Sequence, residues 1–186
     1  MKHVFILVMA LLVVSAMSFA QQSTDVEFDT DVAATAGPLT VVLSGNPTWN
    51  VLHPGTSYTC IADLPVNVTN ITPIDPANQE AFTPGIIDIT GGAGKQVAVT
   101  FVLPSTLVPA AGVGAIHMTY DNQSGSLVDL NSGLPFHFFN PQSGQTVTLD
   151  AAGNGEIWLG GNPSVDNNVL DGDTFVGYGL VTVEYL

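Results

Sequence analysis

The stretch TDVEFDTDVA, residues 24–33, alternates acidic side chains with mostly apolar ones. The acidic row occupies the odd positions Asp25, Glu27, Asp29 and Asp31. The other row occupies the even positions Val26, Phe28, Thr30 and Val32. Successive side chains of an extended chain point to opposite faces, so this pattern predicts a β-strand with one solvated face and one packed face.

Strand-like segments recur through the rest of the chain about every 8–12 residues, separated by turn residues. In KQVAVTFVL, residues 95–103, one face carries Val97, Val99, Phe101 and Leu103. Near the end of the chain, Val181, Val183 and Tyr185 share a face. No segment combines a helical period with helix caps. We therefore expect an all-β fold, an antiparallel β-sandwich of immunoglobulin-like or fimbrial type with about ten to twelve short strands and an N-terminal extended strand.

The first twenty residues have the pattern of a signal peptide. Lys2 precedes the apolar run VFILVMALLVV, and Ser18 and Ala20 supply the small residues of a cleavage site. We expect a secreted protein, extracellular or at the cell surface, with no membrane insertion after the signal is removed. The predicted organisation is a signal peptide at 1–20, a strand leader and hinge at 21–38, and a β-sandwich domain at 39–186.

The charge of the chain is almost entirely negative. Sixteen acidic residues face two cationic ones, Lys2 and Lys95, which gives a formal charge of −14. Loss of Lys2 with the signal peptide changes this charge to −15. Binding to nucleic acid needs Lys and Arg to neutralise phosphates, and binding to anionic lipid needs them as well, so we expect neither partner.

No set of residues has the spacing of a catalytic site, and we do not expect an enzyme. GGAGKQ, residues 91–96, lacks the Gly and the Ser or Thr of a phosphate-binding loop and predicts a tight hairpin turn. Three histidines outside the signal peptide, His53, His117 and His137, have no ligand-type partner two to four residues away. The single cysteine, Cys60, lies in an apolar segment and predicts a small buried side chain.

Two ligand classes stay open as alternatives. The segment SVDNNVLDGD offers oxygen donors of the kind that calcium prefers, and its candidate ligands are Asp166, Asn168, Asp171 and Asp173. Asx-rich turns without metal have the same composition, and that interpretation is favoured. A glycan-binding platform is possible if the aromatic side chains of Trp49, Trp158, Tyr120 and Tyr178 are exposed, although their apolar neighbours favour the core.

Three segments resemble a family of bacterial secreted β-sandwich proteins catalogued as a domain of unknown function. They are TWNVLHPGTSYT (48–59), FTPGIIDITGGAGKQVAVTFVLP (82–104) and the tail from Asn154 to Leu186 with its Gly-Gly and VTVEY endings. The chain departs from the family at Gly172, where the usual aromatic residue between two glycines is replaced by DTFVG. The resemblance implies a surface or fimbria-like protein with an immunoglobulin-like sandwich.

The leader strand precedes this resemblance and suggests an assembly. It has three possible places: an edge of its own domain, a flexible extension, or the sheet of a neighbouring subunit, which it would complete by strand addition. In the third case Val26, Phe28, Thr30 and Val32 form the subunit interface, and TAGP (35–38) is the hinge. We therefore expect a filament or pilus subunit whose partners are copies of itself. The alternative is a secreted or surface-attached monomeric binding module of glycan or adhesin type.

Overall fold

The computed structural model describes residues 23–32 by their backbone, and residues 38–50, 52–63, 71–73, 81–109, 112–170 and 174–186 in full. Within these ranges the chain is all-β, with one short 3-10 turn at Pro141–Ser143 and no α-helix. The strands are β1 Ser23–Val32, β2 Thr40–Gly45, β3 Thr48–Asn50, β4 Thr59–Cys60, β5 Ile71–Thr72, β6 Ala81–Thr83, β7 Gly85–Thr90, β8 Gln96–Val102, β9 Thr106–Pro109, β10 Ile116–Thr119, β11 Gly125–Asp129, β12 Leu134–Phe139, β13 Gln145–Thr148, β14 Asn154–Leu159, β15 Asn162–Val165 and β16 Phe175–Tyr185.

Two main sheets form the sandwich that the sequence predicts. The larger sheet has nine strands in the order β15-β10-β9-β16-β1-β3-β6, and β8 also pairs with β16 and carries β13 at its outer side. The smaller sheet has five strands in the order β12-β11-β14-β7-β2. A separate two-stranded sheet joins β4 to β5. The long last strand, β16, therefore links both arms of the larger sheet.

The core lies between the two sheets and is built from the alternating apolar positions. Val97, Val99 and Phe101 of β8 are buried, as are Val181 and Val183 of β16, whereas Leu103 and Tyr185 are half-buried. Facing them from the smaller sheet are the buried isoleucines of β7 and β14, Ile87, Ile89 and Ile157. The period-two pattern therefore identifies the packed faces of these strands correctly.

The turn at GGAGKQ is tight, but it does not close a hairpin. Gly94 adopts a positive φ of 67°, and the Lys95 N–H donates to the Gly92 carbonyl. The strands on either side lie in different sheets, because β7 pairs with β14 and β2 whereas β8 pairs with β13 and β16. The prediction of a hairpin turn was thus wrong: local turn residues fix the reversal of the chain, but not the sheet that the next strand joins.

Candidate functional site: the first strand in the sheet

The first strand lies inside the larger sheet rather than at its edge. β1 pairs with β16 in a parallel register that runs from Thr24 opposite Phe175 to Val32 opposite Val183. On its other side, β1 pairs antiparallel with β3 over Ser23–Asp25. All other strand pairings of the described residues are antiparallel. The last strand therefore has β1 along one edge, and β8 and β9 along the other.

The register places the two rows of β1 opposite two different kinds of position. Val26, Phe28, Thr30 and Val32 pair with Gly177, Gly179, Val181 and Val183, which are all buried. The acidic positions pair with Val176, Tyr178, Leu180 and Thr182, none of which is buried. Tyr178 is 69% exposed. Paired residues of adjacent strands share a face, so the backbone register agrees with one packed row and one solvated row.

The start of β1 lies between the largest buried side chains of the sheet. Thr24 pairs with Phe175 of β16 on one side and with Trp49 of β3 on the other. Trp49 is only 1% exposed and stacks on Phe82 with ring centroids 5.3 Å apart. β1 thus joins the β3–β6 arm to the rest of the sheet at a point where aromatic packing is dense.

Cys60 lies next to this aromatic cluster and is buried, as the sequence predicts. The Trp49 indole N–H donates to the Cys60 sulfur at 3.3 Å, and the Cys60 backbone N–H donates to the side chain of Asn162. Burial raises the pKa of the Cys60 thiol to about 12. Because the thiolate is the reactive form, this cysteine is inert at neutral pH.

The structure contains a single chain, and in it β1 is paired within its own sheet. Three places were considered for the leader strand, and in this chain it pairs within its own domain. It lies inside the sheet, however, and not at an edge. Residues 33–37 lie outside the described residues, and they include 35–37 of the hinge predicted at 35–38; the last hinge residue, Pro38, is exposed. The subunit-interface role of Val26, Phe28, Thr30 and Val32 stays a prediction.

The candidate calcium ligands are only partly described. Asp166 accepts hydrogen bonds from the Ala115 N–H at 3.0 Å and lies 3.3 Å from His117 Nε2, so both of its carboxylate oxygens already have partners. Asn168 is exposed, and Asp171 and Asp173 lie outside the described residues. In the described part of the chain no three His, Cys, Asp or Glu side chains are grouped as metal ligands.

The four aromatic residues considered for glycan stacking do not form an exposed platform. Trp49 is in the core, and Trp158 is 5% exposed and packs with Ala62 and Val128 in a second small cluster. Tyr120 is half-buried, and its hydroxyl donates to the Pro104 carbonyl at 2.7 Å. Burial raises the pKa of the Tyr120 phenol. Tyr178 alone is exposed, so the core interpretation is correct for both tryptophans.

A groove that the sequence analysis missed lies between strands of the smaller sheet and β13 of the larger sheet. It has a volume of about 490 Å³ and is lined by Leu127, Phe136 and Val147 together with three carboxylates. Its residues come from four consecutive strands, β11, β12, β13 and β14, and from the turns between them. The run PFHFF, residues 135–139, was the available signal, because its three phenylalanines are more large apolar side chains than one packed face of a short strand needs.

Comparisons with known proteins give no relative that bears on function. No family model matches the chain, and no curated protein matches it. Among solved structures, the chain is similar to the yeast delta-COP-I mu-homology domain, with 10% identity over 90% of this chain and 95% of that one, at a TM-score of 0.16. Similarity at that level carries no argument about the fold or the activity. The resemblance to the secreted β-sandwich family stays a prediction.

No helix in the part of the chain that the structure describes has the length and apolar character needed to cross a membrane.

Proposed function

We propose that the protein is a structural subunit of an extracellular filament or fimbria-like surface assembly. In this assembly β1 of one copy leaves its own sheet and takes the place of β1 in the next copy. The observation that carries the proposal is the position of β1. It is the first strand of the chain, yet it lies between β16 and β3 inside a sheet, in register over nine consecutive residue pairs with β16.

Exchange of this strand costs little in contacts, because the same register is made again with a neighbour. Removal of β1 leaves the β16 edge from Phe175 to Val183 without a strand on that side. Main-chain hydrogen bonds supply affinity in such an insertion, and the row of alternate side chains supplies specificity. The open edge of β16 therefore accepts one kind of strand, and every copy of the chain carries such a strand as its own β1.

The link between β1 and β2 determines whether exchange leads to a polymer. Residues 33–39 join β1 in the larger sheet to β2 in the smaller one. Fully extended, seven residues span at most about 25 Å, which reaches an adjacent molecule but not a distant one. Head-to-tail exchange of this kind does not close on itself and so propagates a chain of subunits.

The acidic surface is compatible with such a polymer outside the cell. Assembly through backbone pairing and apolar packing needs no complementary charge, and this chain has almost no cations to offer. Uniform negative charge keeps finished filaments apart at low salt.

A second candidate, a secreted monomeric binding module, is favoured by one observation: β1 pairs with its own chain. In that case the strand closes the sandwich permanently, and the protein acts through a surface site.

The two candidates differ in what removal of β1 does. Residues 21–186 and residues 38–186 are purified, the latter also with a synthetic peptide of residues 21–34, and all are examined by negative-stain microscopy and sedimentation. The filament proposal predicts fibres from residues 21–186 only, and a soluble complex of the shorter protein with the peptide. Monodisperse particles of residues 21–186 at every concentration, up to the solubility limit, would contradict it.

A further inference from the structure

Two glycines lie in the interior of the last strand, at the point where β1 pairs with it. Gly177 and Gly179 flank Tyr178 in β16, and the parallel register places them opposite Val26 and Phe28 of β1. Both glycines are buried, and neither has a positive φ. A glycine inside a strand is destabilising relative to alanine, because it loses more conformational freedom on folding. Since the backbone does not require glycine here, the reason lies in what surrounds each position.

Gly177 is explained by side chains of its own domain. A Cβ atom at this position would overlap with the Leu107 Cδ2 atom and would lie 3.1 Å from the Pro104 Cγ atom. Leu107 is fully buried. Gly177 therefore lets Leu107 and Pro104 pack against the backbone of β16, whichever strand lies beside it.

The strand that pairs with the glycine segment is β1. On its other edge, β16 pairs with β9 only at Phe175 and Val176, and with β8 only from Leu180 onward. Among the described residues, positions 177–179 therefore pair with β1 alone. The residues of β1 at this level have more influence on the glycine segment than those of any other described strand.

Gly179 pairs with the largest residue of β1. Phe28 is the only aromatic residue in the strand Ser23–Val32. Paired residues of neighbouring strands share a face and lie about 4.8 Å apart, so a side chain at position 179 would compete for space with one at position 28. Unlike Gly177, Gly179 is thus accounted for by the strand that lies beside it.

We propose that Gly179 is a specificity-determining residue of the β16 edge that pairs with β1. Because it has no side chain, it admits a strand with a large aromatic residue at the paired position, which Phe28 occupies. Within one chain, this match stabilises the pairing of β1 with its own sheet. Between copies, where the inference rests on the proposed strand exchange, the same match decides which strand an acceptor takes.

The first test measures the match within one chain and does not depend on exchange. Gly179→Val, Phe28→Ala and the double variant of residues 21–186 are unfolded in urea. Valine is favoured over glycine in strands, so Gly179→Val should raise the urea midpoint if the position has room. We expect it to lower the midpoint, and we expect Phe28→Ala to raise the midpoint again when it is added to Gly179→Val. Gly179→Ala takes the place of Gly179→Val if that variant does not fold.

Gly177→Val is the matched control for this test. It should also lower the urea midpoint, because the added side chain overlaps with Leu107. Addition of Phe28→Ala should lower the midpoint further, because Phe28 is not paired with position 177. Near-ultraviolet circular dichroism verifies that each variant is folded.

The second test lets two strands compete for one acceptor. Asp31 pairs with Thr182, three residues along each strand from the match, so Asp31→Cys marks the donor and Thr182→Cys marks the acceptor. A donor with Phe28 and a donor with Phe28→Ala are mixed in equal amounts with one acceptor and oxidised mildly. The two mixed disulfides differ in mass. Their ratio, Phe28→Ala product over Phe28 product, should rise about tenfold or more when the acceptor carries Gly179→Val instead of Gly179.

The two tests separate a failure of this inference from a failure of strand exchange. Additive effects of Phe28→Ala and Gly179→Val on the urea midpoint, or a product ratio that does not depend on residue 179, would overturn the role of Gly179. If no mixed disulfide forms while the urea midpoints show the rescue, strand exchange is contradicted. Gly179 then remains the residue that matches β1 to its own sheet.

Discussion

Glu27 of the first strand lies directly opposite Tyr178 of the last strand, in a parallel ladder that joins the two ends of the chain. An engineered disulfide between these two positions can test the pairing. Neighbouring strands are about 4.8 Å apart, within the range of Cα distances that a disulfide spans. Glu27→Cys with Tyr178→Cys should therefore form an intrachain disulfide on mild oxidation, detectable by mass spectrometry.

The same double variant, once oxidised, should be unable to assemble, because β1 is tied to its own β16. Reduction should restore fibres under the microscope. Cys60 does not interfere, since burial keeps its thiol protonated. Phe28→Cys with Tyr178→Cys is the matched control, as these positions are one residue out of register and belong to opposite rows. If this control closed as readily as the first pair, the parallel register would be wrong.

The two rows of β1 should differ in their effect on stability. Phe28 pairs with a buried position of β16, whereas Asp29 pairs with the partly exposed Leu180. Phe28→Ser should lower the free energy of unfolding in urea by about 3 kcal/mol, from lost apolar burial. Asp29→Ser should change it by less than about 0.5 kcal/mol, as expected of a solvated position. Equal effects of the two substitutions would contradict the assignment of the rows.

The last strand is also tied to the turn between the two sheets. The Gly92 N–H donates to the hydroxyl of Tyr185 at 2.7 Å. Tyr185→Phe removes this acceptor and should lower the free energy of unfolding by about 1 kcal/mol. Tyr178→Phe removes a hydroxyl from the exposed Tyr178 ring and should leave the stability unchanged. A neutral Tyr185→Phe would mean that water replaces the bond without cost.

The turn after β11 should respond to acid. Hydrogen bonds from the Asn131 N–H and the Ser132 hydroxyl hold the pKa of Asp129 below its usual value. A carboxyl whose pKa is lower in the folded state stabilises the fold above its unfolded pKa, and this contribution is lost as the pH falls through the folded pKa. The protection of the Asn131 amide, measured as its exchange rate relative to an unstructured peptide at the same pH, should therefore fall at acid pH, and Asp129→Asn should abolish that response. An Asp129 carboxyl that titrates by NMR like an unfolded aspartate would exclude this account.

The sequence predicts strands correctly where the alternation of apolar and polar residues matches the packing of the fold. The alternation in β8 identified Val97, Val99 and Phe101 as core, and the alternation in β1 identified a strand with two distinct rows. β6, β9 and β15 are not predictable from their own residues, because each has only three or four residues and β9 and β15 contain a proline. Proline is confined to strand edges and ends, so it reads as a loop signal in a sequence.

The local sequence pattern does not predict which strands pair when they are far apart along the chain. Nothing in residues 24–32 indicates parallel pairing with a strand about 150 residues later, because the period of two is the same in parallel and antiparallel strands. The groove, and the extra residue Phe136 between the pairs Leu127–His137 and Val128–Pro135, depend on register between strands, which a one-residue shift changes. The sequence therefore predicts the row of residues that forms the candidate interface on β1, but it does not predict the groove.

The most direct test of strand exchange uses two proteins, each with one introduced cysteine in addition to the native, buried Cys60. Glu27→Cys protein and Tyr178→Cys protein, labelled with different isotopes, are mixed, incubated and oxidised mildly, and the products are identified by mass. Exchange of β1 between copies predicts a mixed disulfide that joins Glu27→Cys of one chain to Tyr178→Cys of the other and grows with incubation time. Absence of that mixed product, under conditions in which the double variant closes within its own chain, would show that β1 never leaves the sheet of its own molecule.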